Sequence, residues 1–145
     1  MLRKLVLAAV LVIGASALVA AADMDVYRSE DCRCCGKWAE HMKKNGFKVR
    51  LHNMSPSKLD AIKTEARIAD KHASCHTARI EGYVIEGHLP AEDVKRLLAE
   101  RPKAIGLAVP GMPIGSPGME VGKRKEPYEV LLIKEDGSTE VFAKH

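Results

Sequence analysis

The segment "DCRCCGKW", Asp31 to Trp38, places three of the chain's four cysteines within four positions. Three thiols that close cannot all pair with one another, so the backbone must present them for another purpose or to another element. Cys32 and Cys35 have C-x-x-C spacing, Cys34 lies between them, and Cys75 is the only other cysteine. Asp25-Val26-Tyr27 reads as a short strand entering the motif. "GKWAEHMKKNG" reads as a helix leaving it, with Trp38, Ala39 and Met42 on one face and Asn45-Gly46 as its stop. A helix start offers free N–H groups and a positive dipole end. Both favour thiolate, so depressed cysteine pKa values are expected there.

The rest of the chain gives a scaffold. "FKVRLHN" alternates, with Phe47, Val49 and Leu51 on one face of a strand. "SPSKLDAIKTEARI" opens a helix with Ser55 as N-cap and Pro56 first, and Leu59, Ile62 and Ala66 share a face. "TARIEGYVIEG" reads as two strands with a tight turn at Glu81-Gly82. "LPAEDVKRLLAERP" is the clearest helix, from Pro90 to the stop at Pro102, with Val94, Leu97 and Leu98 inward. "YEVLLIKEDGSTEVF" is a C-terminal hairpin turning at Asp136-Gly137. A loop rich in Gly and Pro, about 25 residues long from Lys103 to Pro127, separates it from the last helix. The order strand, helix, strand, helix, strand, strand, helix predicts an α/β, thioredoxin-like fold. Its central mixed sheet is flanked by helices and followed by the long loop and the hairpin.

The N-terminus reads as an export signal. Arg3 and Lys4 precede an apolar or small-residue run, Leu5 to Val19, and "ALVAAAD" offers cleavage after Ala22. Residues 1–22 are thus expected to be a signal peptide and 23–145 a single soluble metal-binding domain. A bacterial periplasm is the implied location, with no membrane association after cleavage. The chain has 23 basic and 19 acidic residues; removing Arg3 and Lys4 leaves 21 against 19. That near balance, without a basic run interleaved with aromatics, gives nucleic-acid binding no support.

Topology then brings Cys75 toward the C-x-C-C motif, because the loop entering the third strand faces that turn. A dithiol catalyst needs two cysteines, one attacking and one resolving. A thiol–disulfide oxidoreductase using Cys32 and Cys35 therefore leaves two sulfurs over. Structural disulfides are a further alternative in an exported chain, although bridges inside "CRCC" are disfavoured and Cys32 or Cys34 would reach Cys75 more readily. A metal uses all four. Adjacent Cys34 and Cys35 suit neighbouring ions with bridging sulfurs, which fits soft, low-coordinate Cu(I). Zinc prefers longer ligand gaps, the spacing matches neither common ferredoxin run, and no C-x-x-C-H haem motif occurs.

The remaining candidates weigh less. His76, in a strand, is expected to point away from Cys75. His41 and His52 read as solvated, His88 as a cap for the following helix, and His72 as within reach of the cluster. Met112 and Met119 are soft thioethers that read as filling gaps under the loop, and Trp38 reads as the core anchor of the first helix. No residue is assigned a catalytic or organic-cofactor role.

The motifs "VYRSEDCRCCGKWAEHM", "SCHTARIEGYVIEGHLPAEDVKRLLAERP" and "GLAVPGMPIGSPGME" resemble the CopG-like periplasmic copper-resistance family, long known only as a domain of unknown function. The resemblance spans essentially residues 23–145. It implies a thioredoxin-like fold and a copper–thiolate cluster of several Cu(I) ions held by Cys32, Cys34, Cys35 and Cys75. It also implies a role in copper resistance or homeostasis, with redox cycling of copper as an added activity and other periplasmic copper-handling proteins as partners.

Overall fold

The computed structural model describes residues 21–145. All but the last two residues of the expected signal peptide lie outside the described residues, among which no helix is long and apolar enough to cross a membrane. The elements are β1 (Asp23–Ser29), α1 (Arg33–Lys44), β2 (Lys48–Met54), α2 (Pro56–Glu65), a 3-10 turn (Asp70–His72), β3 (His76–Ile80), β4 (Tyr83–Glu86), α3 (Ala91–Glu100), β5 (Gly106–Ala108), β6 (Glu129–Ile133) and β7 (Thr139–Lys144). The strands form one seven-stranded mixed sheet in the order β2-β1-β3-β4-β5-β6-β7. β1 runs parallel to β2, and β4 to β5; the other pairs are antiparallel.

Side chains alternate across the sheet and so build two apolar layers. Ile85, Leu107 and Leu132 face the larger core, with Trp38 and Met42 of α1 and Val94 and Leu97 of α3. Their neighbours Val84, Ala108 and Ile133 face the opposite side, where Ala66 and Ile68 from the end of α2 cover them. Helix α1 is amphipathic, burying Cys35, Trp38, Ala39 and Met42 at helical spacing. It ends where Asn45 N–H donates to the His41 carbonyl and Gly46 takes a positive φ of 93°. In β2, Phe47 at the entry is buried but Leu51 remains 39% exposed, because β2 is an edge strand.

The turns at Glu81-Gly82 and Asp136-Gly137 form as expected, both glycines with positive φ. The long loop does not. Three of its expected residues, Gly106 to Ala108, are an internal strand paired on both sides. A strand buried on both faces has no polar alternation to signal it, and this one lies in glycine- and proline-rich text. Gly106 is required there: a Cβ on it would run into the backbone of Val84 on the adjacent strand. Gly106→Ala is expected to lower stability by about 2 kcal/mol or more, since backbone must shift to admit the methyl. Chemical denaturation measures this, and an unchanged midpoint would contradict it.

Candidate metal centre

Cys32 is the N-cap of α1, and its sulfur accepts the Cys35 N–H at 3.3 Å. Its carbonyl accepts from the Arg28 guanidinium at 2.8 Å, which ties the end of β1 to the helix start. Cys34 Sγ lies 3.5 Å from Cys32 Sγ and 3.8 Å from Cys75 Sγ. Cys75 arrives from the loop before β3, as the topology predicted. The four sulfurs lie within 4.8 Å of one another.

One feature differs from expectation. Cys32 and Cys35 are joined as a disulfide, with Cα atoms 5.4 Å apart, and Cys34 and Cys75 are free. Sequence reasoning disfavoured bridges within the run. Yet the N-cap and the residue three positions on face the same side of a first helical turn, so this pair closes without help from Cys75.

Cys75 is held from behind by a buried polar network. The fully buried Glu86 accepts the Ser74 N–H at 2.7 Å and the Thr77 hydroxyl at 2.6 Å. The Lys63 ammonium donates to both Glu86 and Thr77. Burial pushes the Glu86 carboxyl up, and the Lys63 charge opposes that rise. Burial also pushes the Cys75 thiol up to about 12, with the neighbouring Cys34 adding to the shift.

Two histidines flank the same sulfur. His88 is fully buried, with Nε2 3.0 Å from Cys75 Sγ. Its Nδ1 lies 2.8 Å from the Pro117 carbonyl, which can only accept, so Nδ1 carries the proton and Nε2 presents its lone pair. His76 Nδ1 lies 3.3 Å from Cys75 Sγ, while its Nε2 is buried without a partner. Strand alternation fails to separate Cys75 from His76 because β3 begins only at His76. Burial lowers the pKa of both imidazoles, so they are neutral.

The other candidates fall elsewhere. His41, expected to be solvated, accepts the Ala91 N–H at 3.1 Å and so caps α3, the role expected of His88. His52 pairs with Asp25 at 2.7 Å and stacks on Tyr27. His72 is buried but joins neither group of clustered donors. Met112 is 50% exposed and fills no gap. The loop nevertheless closes over the site. Gly118, with φ at 88°, packs so that a Cβ would lie 2.8 Å from the Cys34 carbonyl and 2.9 Å from the Trp38 nitrogen.

Residues 72–119 match the family described as "Protein of unknown function, DUF411". Two solved structures, both described as copper resistance protein copG, are similar to the whole domain. Form 2 is 40% identical with a TM-score of 0.80, and form 1 is 41% identical with a TM-score of 0.81. Each alignment covers 86% of this chain and 98% of the other. The chain belongs to the CopG family. A comparison with curated proteins gives no match.

The segment matching the unknown-function family contains Cys75, His76, His88 and the closing loop with Gly118, whereas the C-x-C-C motif lies outside it. The copG structures span both parts. In this CopG-family chain the site therefore assembles two distant segments, and Cys75 joins them. A Cys75 thiol with a pKa of about 12 is protonated at neutral pH, so a metal that binds its thiolate must displace a proton. Uptake of cuprous ion by the reduced protein is expected to release protons. Its apparent affinity should rise about tenfold per pH unit for the Cys75 proton alone. Competition titrations across neutral pH check this, and a flat profile would contradict it.

Proposed function

We propose that this chain is an exported copper-resistance protein that binds several cuprous ions as a thiolate cluster on Cys32, Cys34, Cys35 and Cys75. The convergence of four sulfurs within 4.8 Å carries the reading. Thiolates are soft donors that select Cu(I) and bridge between ions, and the donor set fits that cargo. The similarity to structures of copper resistance protein copG supports the same metal. The sheet order β2-β1-β3-β4, with β1 parallel to β2 and antiparallel to β3, supports a thioredoxin-like label for residues 23–145. The basic head, apolar run and small residues support a signal peptide over 1–22 and a periplasmic location, where disulfides persist.

The Cys32–Cys35 bridge adds a redox step. In the reduced protein the two thiols give up two protons and two electrons as the S–S bond forms. Each electron reduces one cupric ion to cuprous. The bridge also favours a second reading, a thiol–disulfide oxidoreductase acting through Cys32 and Cys35.

Anaerobic titration of fully reduced protein with cuprous ion separates the two. The copper reading expects more than one equivalent bound and all four thiols lost to a thiol reagent. No copper uptake, with insulin reduction intact in a Cys34→Ala/Cys75→Ala variant, would establish the oxidoreductase instead. N-terminal sequencing of periplasmic protein is expected to begin at Asp23, and a retained Met1 would contradict cleavage.

A further inference from the structure

The loop that covers the cysteines also carries a run of three exposed cations, Lys123, Arg124 and Lys125. Arg79, Arg101 and Lys134 each meet a carboxylate on the surface of the sheet or its turns. Among the described residues, none of the three loop cations does. The two carboxylates that bracket the run are turned back onto the loop's own backbone. Glu120 accepts the Gly118 N–H at 2.9 Å, and Glu126 accepts the Ile114 N–H at 3.0 Å. The positive charge is left facing outward.

The run is also held in place. Val121 and Arg124 pair across a tight turn, with the Arg124 N–H donating to the Val121 carbonyl at 3.2 Å. The Glu126 N–H donates to the Ile114 carbonyl at 2.8 Å and the Gly115 N–H to the Met119 carbonyl at 2.9 Å. Charge that only keeps a protein in solution needs no such fixed geometry.

Beside the turn lies a cavity of about 510 Å3, lined by Gly115, Lys125, Glu126, Pro127, Tyr128 and His145. Lys125 belongs to both features. The Tyr128 and His145 rings stack with centroids 5.2 Å apart, and His145 Nε2 lies 2.7 Å from Asp93 Oδ2. The aromatic wall is thus fixed, and a fixed recess of this kind receives one apolar or aromatic anchor from a partner.

We propose that the Lys123–Lys125 turn and the adjoining Tyr128–His145 cavity form a docking site for an acidic segment of a partner protein. Carboxylates of the segment meet the three cations, and one apolar side chain enters the cavity. Gly118 of the same loop packs against the Cys34 carbonyl. The three residues from there to Val121 span at most about 11 Å. A partner seated on the turn therefore stands at the rim of the cysteine site.

A protein segment fits better than a lipid surface. Helices and loops that lie on membranes join their cations to several apolar or aromatic anchors. Here Val121, 50% exposed, is the one large apolar side chain exposed at the turn. A flat bilayer also cannot fill the recess beside it.

Docking here does not require copper at the four thiolates, so it is tested on metal-free protein. The probe is a dye-labelled synthetic peptide of glutamates around a single phenylalanine, followed by fluorescence anisotropy. Saturable binding is expected, weakening at least about fivefold between ~20 and ~200 mM salt as the charges are screened. Lys123→Glu/Arg124→Glu/Lys125→Glu should weaken it at least about tenfold, with an unchanged circular dichroism spectrum. Lys43→Glu/Lys44→Glu/Lys48→Glu makes the same change in net charge around the far end of α1, and should leave affinity within about twofold. A peptide with alanine in place of phenylalanine should bind several-fold more weakly. Amide shifts of the 15N-labelled protein should move at residues 121–128 and at His145.

Absence of saturable binding would overturn the docking site. So would equal losses in the two triple variants, which would reduce the effect to net charge, or equal binding of the alanine peptide. Binding to equimolar phosphatidylglycerol–phosphatidylcholine vesicles but not to the peptide would assign the turn to a membrane surface instead. Each of these results can occur with cuprous binding intact, so neither reading depends on the other.

Discussion

The Trp38 indole holds the two halves of the site together. It is fully buried, its Nε1–H donates to the Leu89 carbonyl at 2.9 Å, and its ring lies 4.3 Å from that of His76. Cys34 and Cys35 precede it on α1, so one side chain fixes the helix that carries them against the turn that carries His88. Burying a tryptophan removes about 150–250 Å2 from water, roughly 4–6 kcal/mol at most. The backbone nitrogen of the same residue meets Gly118, so the closing loop is seated by the same contact. Loosening Trp38 would separate the sulfur-bearing helix, the imidazoles and the loop at once.

Around that anchor the protein has gathered groups that do not stabilise one another strongly. Two free thiols, two neutral imidazoles and a disulfide sit at the end of the sheet, backed by the Lys63–Glu86 pair. Buried polar clusters of this kind are costly unless fully satisfied. In the proposed function, a soft cation would relieve the cost by replacing the Cys75 proton and turning weak sulfur contacts into bonds. Oxidation relieves part of it differently, by withdrawing two sulfurs into a bridge. The site is thus poised between metal and disulfide, with Cys75 outside the bridge in either state.

Much of this was legible in the chain. Trp38, Ala39 and Met42 marked the buried face of α1, Val94 and Leu97 that of α3, and Glu81-Gly82 the hairpin that brings Cys75 across. Other features were hidden for physical reasons. β5 has no alternation because both its faces are covered. The Cys32–Cys35 bridge depended on where the helix begins, and α1 starts at Arg33, earlier than the apolar spacing indicates. His88 did carry a signal. In the antiparallel ladder Thr77 pairs with Glu86, and the Gly87 N–H donates to the His76 carbonyl. The same register sets His88 opposite Cys75, so counting outward from the Glu81-Gly82 turn would have found it. His41 carried none: its capping of α3 depends on how two helices pack, which no local pattern encodes.

The most direct test of sulfur-held copper is X-ray absorption at the copper edge on the fully reduced, cuprous-loaded protein. The account predicts a first shell dominated by sulfur, with a copper neighbour beyond it from sharing of thiolates between ions. A first shell of nitrogen and oxygen alone would contradict it.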